Sequence, residues 1–347
     1  HPTSTSRPGS SQVDPVFPRL HLKPAFIMAS PKVCTWSAPL RRVAPVRLGR
    51  RAAGCRPSNV RPTAALMDLL RPITTFGGQG KPLNEGIAEF YDESTGLWEN
   101  MWGDHLHHGY YEPGKTEKSN RQAQVDMIDE SLKWAGVTEV GRMVDVGCGL
   151  GGSSRYIARK FGASACGVTL SPFQAQRANE ITREEEGVEA SFQVADALDM
   201  PFEDSSFDLC WSMESGEHMP DKRKFVAELA RVATPGGRVL IVTWCHRELT
   251  PENPTLSDSE QALLDRICEA YYLPKWCSIA DYAEIAKDAG LVDIRTADWT
   301  KYVEPFWGKV IQTALTGKGM LGLLGAGWTT IKGALVMPLM APGFTIG

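Results

Sequence analysis

The first 67 residues are nearly devoid of acid. Asp14 is the single carboxylate there, set against 11 lysines and arginines, a net charge of +10. The rest of the chain carries a net charge of −14, so two different polymers are joined near Met67. An Arg-rich, Ser-containing stretch without acids has the character of an organelle transit segment. The arginines at 41, 42, 47, 50, 51, 56 and 61 interrupt any unbroken apolar core, which excludes a secretory signal. A basic tail that binds anionic surfaces is the alternative. The segment holds 10 of the 23 prolines and sustains no apolar periodicity. Residues 1–67 therefore read as a leader and transit-like disordered segment, with Met28-Ala29-Ser30 suited to initiation.

Other absences narrow the class. Eight cysteines never approach within a Cys-x-x-Cys spacing, which excludes a zinc ribbon and a thioredoxin-like pair. The uncharged runs Gly319–Ile331 and Gly333–Gly347 are too short and too rich in glycine to span a bilayer. There are no internal repeats. The overall charge of −4 gives no reason to expect a nucleic-acid partner.

What is present, from residue 80 onward, is an alternation of strands and helices. The pattern predicts helices over about Lys81–Asn100, Asn120–Trp134, Ser153–Phe161 and Asp221–Val232. Strands are expected at Arg142–Val146, Ala163–Val168, Glu189–Val194, Phe207–Met213, Arg238–Trp244 and Leu291–Trp299. Ser171-Pro172-Phe173-Gln174 has the form of a capping box, and Ser278 through Asp281 a second one. Such alternation implies an α/β fold: a doubly wound, mostly parallel sheet covered on both faces. The expected organisation is 1–67 leader, 68–135 helical cap with an aromatic and histidine loop, 136–245 nucleotide-binding core, and 246–347 acceptor-binding part.

Gly147-Cys148-Gly149-Leu150-Gly151-Gly152 follows a strand and opens a helix. Glycine is required where the backbone turns sharply and a ligand approaches without a Cβ between. A structural turn alone would also account for it. Asp145 sits two residues before the first glycine, where a carboxylate would repel a pyrophosphate but accept hydrogen bonds from a cationic amino acid group. The acid that an NAD site places after the second strand is missing, because that position reads Val168-Thr169-Leu170-Ser171. Both features favour S-adenosyl-L-methionine over a dinucleotide, and disfavour an NAD-binding oxidoreductase. Asp196, directly after the third strand, is placed to accept from an adenine amino group, with Ala197 beside it.

By order and spacing these elements resemble the class I S-adenosylmethionine-dependent methyltransferases. The runs Ile87–Asn100, Trp102–Pro113, Val144–Arg155 and Gly327–Leu335 are similar to the plastid γ-tocopherol C-methyltransferase family. The likeness extends from about Leu83 to Gly347. It implies transfer of a methyl group to a ring carbon of a chromanol, γ- or δ-tocopherol, in vitamin E biosynthesis, with a chloroplast location at envelope or plastoglobule. Plant indole-alkaloid N-methyltransferases share nearly all these motifs and supply the alternative acceptor, and a non-catalytic S-adenosylmethionine-binding protein is the alternative outside enzymes. The resemblance implies that Thr169, Ser171 and Gln174 recognise the ribose, although helix capping explains Thr169, Ser171 and Gln174 as well.

An aromatic carbon attacks a methyl group only when its ring hydroxyl is ionised or strongly hydrogen-bonded, so a carboxylate or histidine is expected nearby. Glu214 and His218 follow the fourth strand, at the carboxyl end where open α/β sheets bind ligands. His108, with His105 and His107, lies in the loop before the core. Glu214, His218 and His108 are the catalytic candidates. Tyr91 and Tyr110 are candidates to face the sulfonium or its carboxylate, and Met213 to line the donor site. His-x-His at 105–107 has no third ligand in sight, so no metal is expected. The apolar tail Trp307–Met340 suits a C-terminal helical lid and peripheral contact with plastid membrane lipid, because a prenylated acceptor needs access from lipid. The resemblance also predicts a seventh, antiparallel strand after about Gly347, between Arg238–Trp244 and Leu291–Trp299. A chain without it should fold poorly.

Overall fold

The computed structural model describes residues 23–31 and 83–314. The tail expected to form the lid beyond Ala314 lies outside them, as does most of the leader. Eight helices are described: α1 (Leu83–Trp102), α2 (Asn120–Trp134), α3 (Gly152–Phe161), α4 (Pro172–Glu184), α5 (Lys222–Val232), α6 (Asp258–Ala270), α7 (Ile279–Asp288) and α8 (Thr300–Ala314). The strands are β1 (Lys23–Pro31), β2 (Arg142–Val146), β3 (Ser164–Thr169), β4 (Ala190–Val194), β5 (Phe207–Met213), β6 (Ala233–Cys245) and β7 (Leu291–Asp298).

They form one sheet in the order β4-β3-β2-β5-β6-β1-β7. Strands β4, β3, β2, β5 and β6 pair in parallel, and β1 pairs antiparallel with both β6 and β7. Side chains of a strand alternate between faces, and the two cores follow that alternation. Leu209, Trp211 and Met213 of β5 join Leu240, Val242 and Trp244 of β6 on one face, against α2 and α8. Val144 and Val146 of β2 join Val239 and Ile241 of β6 on the other, against Phe225 and Leu229 of α5 and Tyr282 of α7. The expected doubly wound sheet is thus the one observed.

Two expectations need correction. Residues 1–67 are not uniformly without structure, because β1 comes from them and Met28 lies in mid-strand, paired with Leu240 and Arg295. The antiparallel place between β6 and β7 is accordingly filled by Lys23–Pro31. The helix α6 was not anticipated either. Its N-terminus carries a complete capping box, with Ser257 accepting from the Glu260 amide and the Glu260 side chain accepting from the Ser257 amide.

Capping at α4 forms only by half. Ser171 Oγ accepts from the Gln174 amide at 3.0 Å. The Gln174 side chain does not return to Ser171. Its Oε1 accepts from Thr169 Oγ1 (2.8 Å) and its Nε2 donates to Thr95 Oγ1 of α1 (3.1 Å). Tertiary partners on α1 outcompete the local cap. At α7 the second expected box, Ser278 with Asp281, is complete.

Candidate functional site

Gly147, Gly149 and Gly151 all adopt left-handed backbone conformations, at φ of +82°, +53° and +76°. A Cβ on Gly147 would fall 2.2 Å from the Cβ of Ser215, so the turn after β2 packs directly on the loop after β5. Ser215 Oγ fastens that contact by donating to the Val146 carbonyl at 2.6 Å. The amides of Gly147 and Cys148 both donate to the Val168 carbonyl, at 2.9 and 3.0 Å, which closes the turn onto β3.

Above this turn, at the carboxyl ends of β2, β3, β4 and β5, lies a cavity of about 290 Å³. Asp145, Gly147, Gly149, Thr169, Ser171, Gln174, Asp196, Ala197, Met213, Glu214, His218 and Tyr91 all line it. Three sequence candidates do not. Gly151 serves packing, since a Cβ there would meet the Phe192 ring at 2.3 Å. Tyr110 stacks on Tyr302 with ring centroids 4.7 Å apart and meets Trp299 edge-on, on the side of α8. His108 stands behind Glu214, packed edge-on against Trp244 and Phe306.

The cavity has two acidic walls of different character. Asp145 is buried, accepts from Ser154 Oγ at 2.6 Å, and has its carboxyl pushed up to about 7 by desolvation. Asp196 is exposed at the rim and accepts from the Leu198 amide at 2.8 Å. Between them Thr169, Ser171 and Gln174 are mutually bonded, and Ser171 Oγ also donates to Asp92 of α1.

The loop after β5 brings the proton-handling groups together. Glu214 sits at φ +53°, a strained conformation for a residue with a side chain. His108 clamps its carboxylate: the amide donates to Oε1 (3.1 Å) and Oε2 (3.2 Å), and Nδ1 lies 2.5 Å from Oε2. Burial pushes the Glu214 carboxyl up, but the charge and hydrogen bonds of His108 outweigh it and hold the group below the ordinary carboxylate range. His218 follows on a single 3-10 turn, Gly216–His218, and its Nε2 lies 2.9 Å from the Tyr91 hydroxyl. Burial drives the His218 imidazole down to about 3, so it is neutral. Glu217 points the other way, bonded to Thr243 Oγ1 at 2.8 Å, with burial and the Glu214 charge pushing its carboxyl up to about 8.

Several residues of the site were not anticipated. Arg155, fully buried, donates to the Leu150 carbonyl (2.6 Å) and to Asp104 (2.7 Å), tying the histidine loop to the glycine turn. The signal was an arginine with no acid three or four places away on its own helix, hence in need of a tertiary partner. Gln124 of α2, also fully buried, donates to the carbonyls of His105 (2.7 Å) and His107 (2.9 Å), and both these histidines line the cavity. A buried glutamine on an amphipathic helix leaves no such mark in the sequence. Among the described residues no cluster of histidine, cysteine and acid is arranged to hold a metal.

These residues fit S-adenosylmethionine. The glycine turn forms the floor of the cavity, a buried carboxyl suited to a cation stands at one end, and an exposed acid stands at the other. A sequence profile of the methyltransferase domain family matches residues 144–241. A geranyl diphosphate methyltransferase solved with GPP and sinefungin superposes with a TM-score of 0.58 at 25% identity, covering 70% of this chain and 93% of that one. Fold and site together define a class I S-adenosylmethionine-dependent methyltransferase. The chloroplastic tocopherol O-methyltransferase of Arabidopsis thaliana is 56% identical over 276 residues, 76% of this chain and 79% of that protein. Norajmaline N-methyltransferase of Rauvolfia serpentina is 38% identical over 269 residues, 74% of this chain and 92% of that protein. The chain belongs to the tocopherol O-methyltransferase family.

Proposed function

We propose that this enzyme methylates a ring carbon of γ-tocopherol, and of δ-tocopherol, to give α- and β-tocopherol in the chloroplast. The observation that carries the reading is the 56% identity to a chloroplastic tocopherol O-methyltransferase over 276 residues. The 38% identity to an alkaloid N-methyltransferase makes an amine the weaker choice of acceptor.

S-Adenosylmethionine, when bound, supplies an electrophilic methyl group. Asp145 and the amides of the glycine turn would hold its amino acid end, Thr169, Ser171 and Gln174 its ribose, and Asp196 with Ala197 its adenine. For the three ribose candidates this means exchanging bonds they now make with one another and with α1. The remaining demand is on the acceptor. A phenol titrates near 10, so full ionisation at neutral pH costs about 4 kcal/mol. Glu214 meets that demand as an ionised carboxylate on the cavity wall. Its Oε1 keeps acceptor capacity beyond the His108 amide and accepts a hydrogen bond from the phenol, which raises electron density at the adjacent ring carbon. Neutral His218, bonded to Tyr91 through Nε2, forms part of the wall beside Glu214. His108 orients Glu214 rather than touching the acceptor. The insoluble prenyl chain of such a substrate implies peripheral contact with lipid of the envelope or plastoglobule.

The test is incubation with methyl-labelled S-adenosylmethionine and, separately, γ-tocopherol, δ-tocopherol and an indole alkaloid. Label in a product that keeps its free phenol is the expected result. A methyl ether would replace carbon by oxygen as the acceptor atom, and product from the alkaloid alone would overturn the chromanol assignment.

A further inference from the structure

Behind the cavity wall a lysine is buried where no surface charge is needed. The 3-10 turn Gly216–His218 closes one bond of its own, from the Met219 amide to the Gly216 carbonyl at 3.2 Å, and leaves further carbonyl capacity open. Lys222, at the start of α5 and about nine-tenths buried, supplies the donors. Its Nζ donates to the carbonyl oxygens of Gly216 (3.0 Å), Glu217 (3.0 Å) and Met219 (2.6 Å). Three acceptors use all three hydrogens of an ammonium, whereas a neutral amine has only two to give. The geometry thus holds a cation in the interior. From α7 the Tyr282 hydroxyl adds a bond to the Gly216 carbonyl at 3.0 Å.

The far side of the same turn carries His218 to the cavity, where its Nε2 meets Tyr91. Burying an ammonium costs several kcal/mol before its bonds are counted. An uncharged side chain could fill the same volume, so the charge itself calls for a use.

We propose that Lys222 is a positioning residue: it grips the carbonyls of the 216–219 turn so that the His218 ring is held against Tyr91 at the cavity wall. The titratable groups that face His218 are Tyr91 from α1 and Lys222 from α5. Among them Lys222 is the cation. Burial first, and the Lys222 charge second, keep the imidazole from taking a proton. This deepens the methyl-transfer reading of the cavity and rests on it for the identity of the acceptor.

The experiment follows the His218 ring-proton resonance across pH in the full chain, assigned by its loss in His218→Gln, alongside kcat and KM for γ-tocopherol. Lys222→Gln keeps hydrogen-bond donors but removes the charge. The expected result is a displaced His218 resonance, because the ring is no longer held against Tyr91, with kcat reduced at least several-fold and KM for S-adenosylmethionine little changed. Folded Lys222→Gln with the wild-type His218 resonance and kcat overturns the proposal. Where that variant does not fold, Lys222→Arg carries the test: the charge is kept and the bonding altered. His218 should then remain unprotonated with a shifted resonance, and a resonance identical to wild type overturns the proposal. Failure of the wild-type enzyme to methylate tocopherol would count against the substrate reading alone, because the resonance reports on Lys222 without turnover.

Discussion

Asp145 lies buried beside a cavity suited to a cation, and that placement links donor affinity to pH. In the free protein the carboxyl is pushed up to about 7, so it is largely protonated at pH 6 and largely ionised at pH 7.5. A bound cation favours the ionised form. S-Adenosylmethionine should therefore bind more weakly as pH falls through 7, by about tenfold per proton taken up over each pH unit below it. Titration calorimetry at pH 6 and 7.5 is expected to show this for the wild type. Asp145→Asn should bind more weakly at pH 7.5 and lose the dependence; equal affinities of the wild type at both pH values would remove Asp145 from the donor site. Glu214 makes a different demand. Glu214→Gln preserves volume and loses the charge, so turnover of γ-tocopherol should drop by about 10²–10⁴-fold while donor affinity stays within about twofold. His108→Asn removes the imidazole, whose charge and hydrogen bond oppose burial at Glu214, and keeps the backbone amide. The Glu214 carboxyl should then rise, and the acid limb of the kcat profile should move to higher pH. A limb that stays in place would show that His108 does not govern Glu214.

The elements around the cavity are joined by buried polar contacts. Asp92, Thr95 and Glu99 share one face of α1 and meet Ser171, Gln174 and Arg177 of α4 and its cap. The histidine loop is joined to α3 by Arg155, which also lies 3.3 Å from Glu185. Breaking a buried pair from one side leaves a charge uncompensated at a cost of about 3–5 kcal/mol. Arg121 still reaches Asp104 at 2.7 Å and relieves part of this. Arg155→Met is accordingly expected to lose about 3 kcal/mol in chemical denaturation, with faster amide exchange over 103–109. A loss under about 0.5 kcal/mol would mean that the loop is held elsewhere. Local sequence made the core strands legible because each is a short apolar run bounded by turn residues. The same reasoning assigned Gln174 to its own cap, since nothing local reveals that Thr95, 79 residues away in sequence, offers a better partner. The helix α6 was legible and passed over: Ser257-Asp258-Ser259-Glu260 carries the box that starts it.

At the scale of the whole molecule, the parallel half of the sheet could be read from the order of elements, and the family resemblance implied an antiparallel strand between β6 and β7. Which segment meets that need could not. Two strands flanking a gap offer rows of unpaired N–H and C=O groups, and any extended, uncharged run of the right length can satisfy them. Ala25–Ser30 is such a run inside an otherwise basic leader, and composition averaged over 67 residues conceals it. It pairs from Lys23 to Ala29 with β6 and from Ala25 to Pro31 with β7. Transit cleavage near Met67 and membership of the sheet exclude one another for the same molecule, because cleavage there would remove β1. The comparison that decides is the full chain against one beginning at Asp68. Each buried backbone group left unpaired costs about 1–3 kcal/mol, so the shorter chain should melt well below the longer one, aggregate through the bared edges of β6 and β7, and regain solubility when a Lys23–Pro31 peptide is added. In the full chain the amides of β1 should exchange as slowly as those of β6. Equal melting temperatures, with fast exchange over 23–31, would return those residues to the leader.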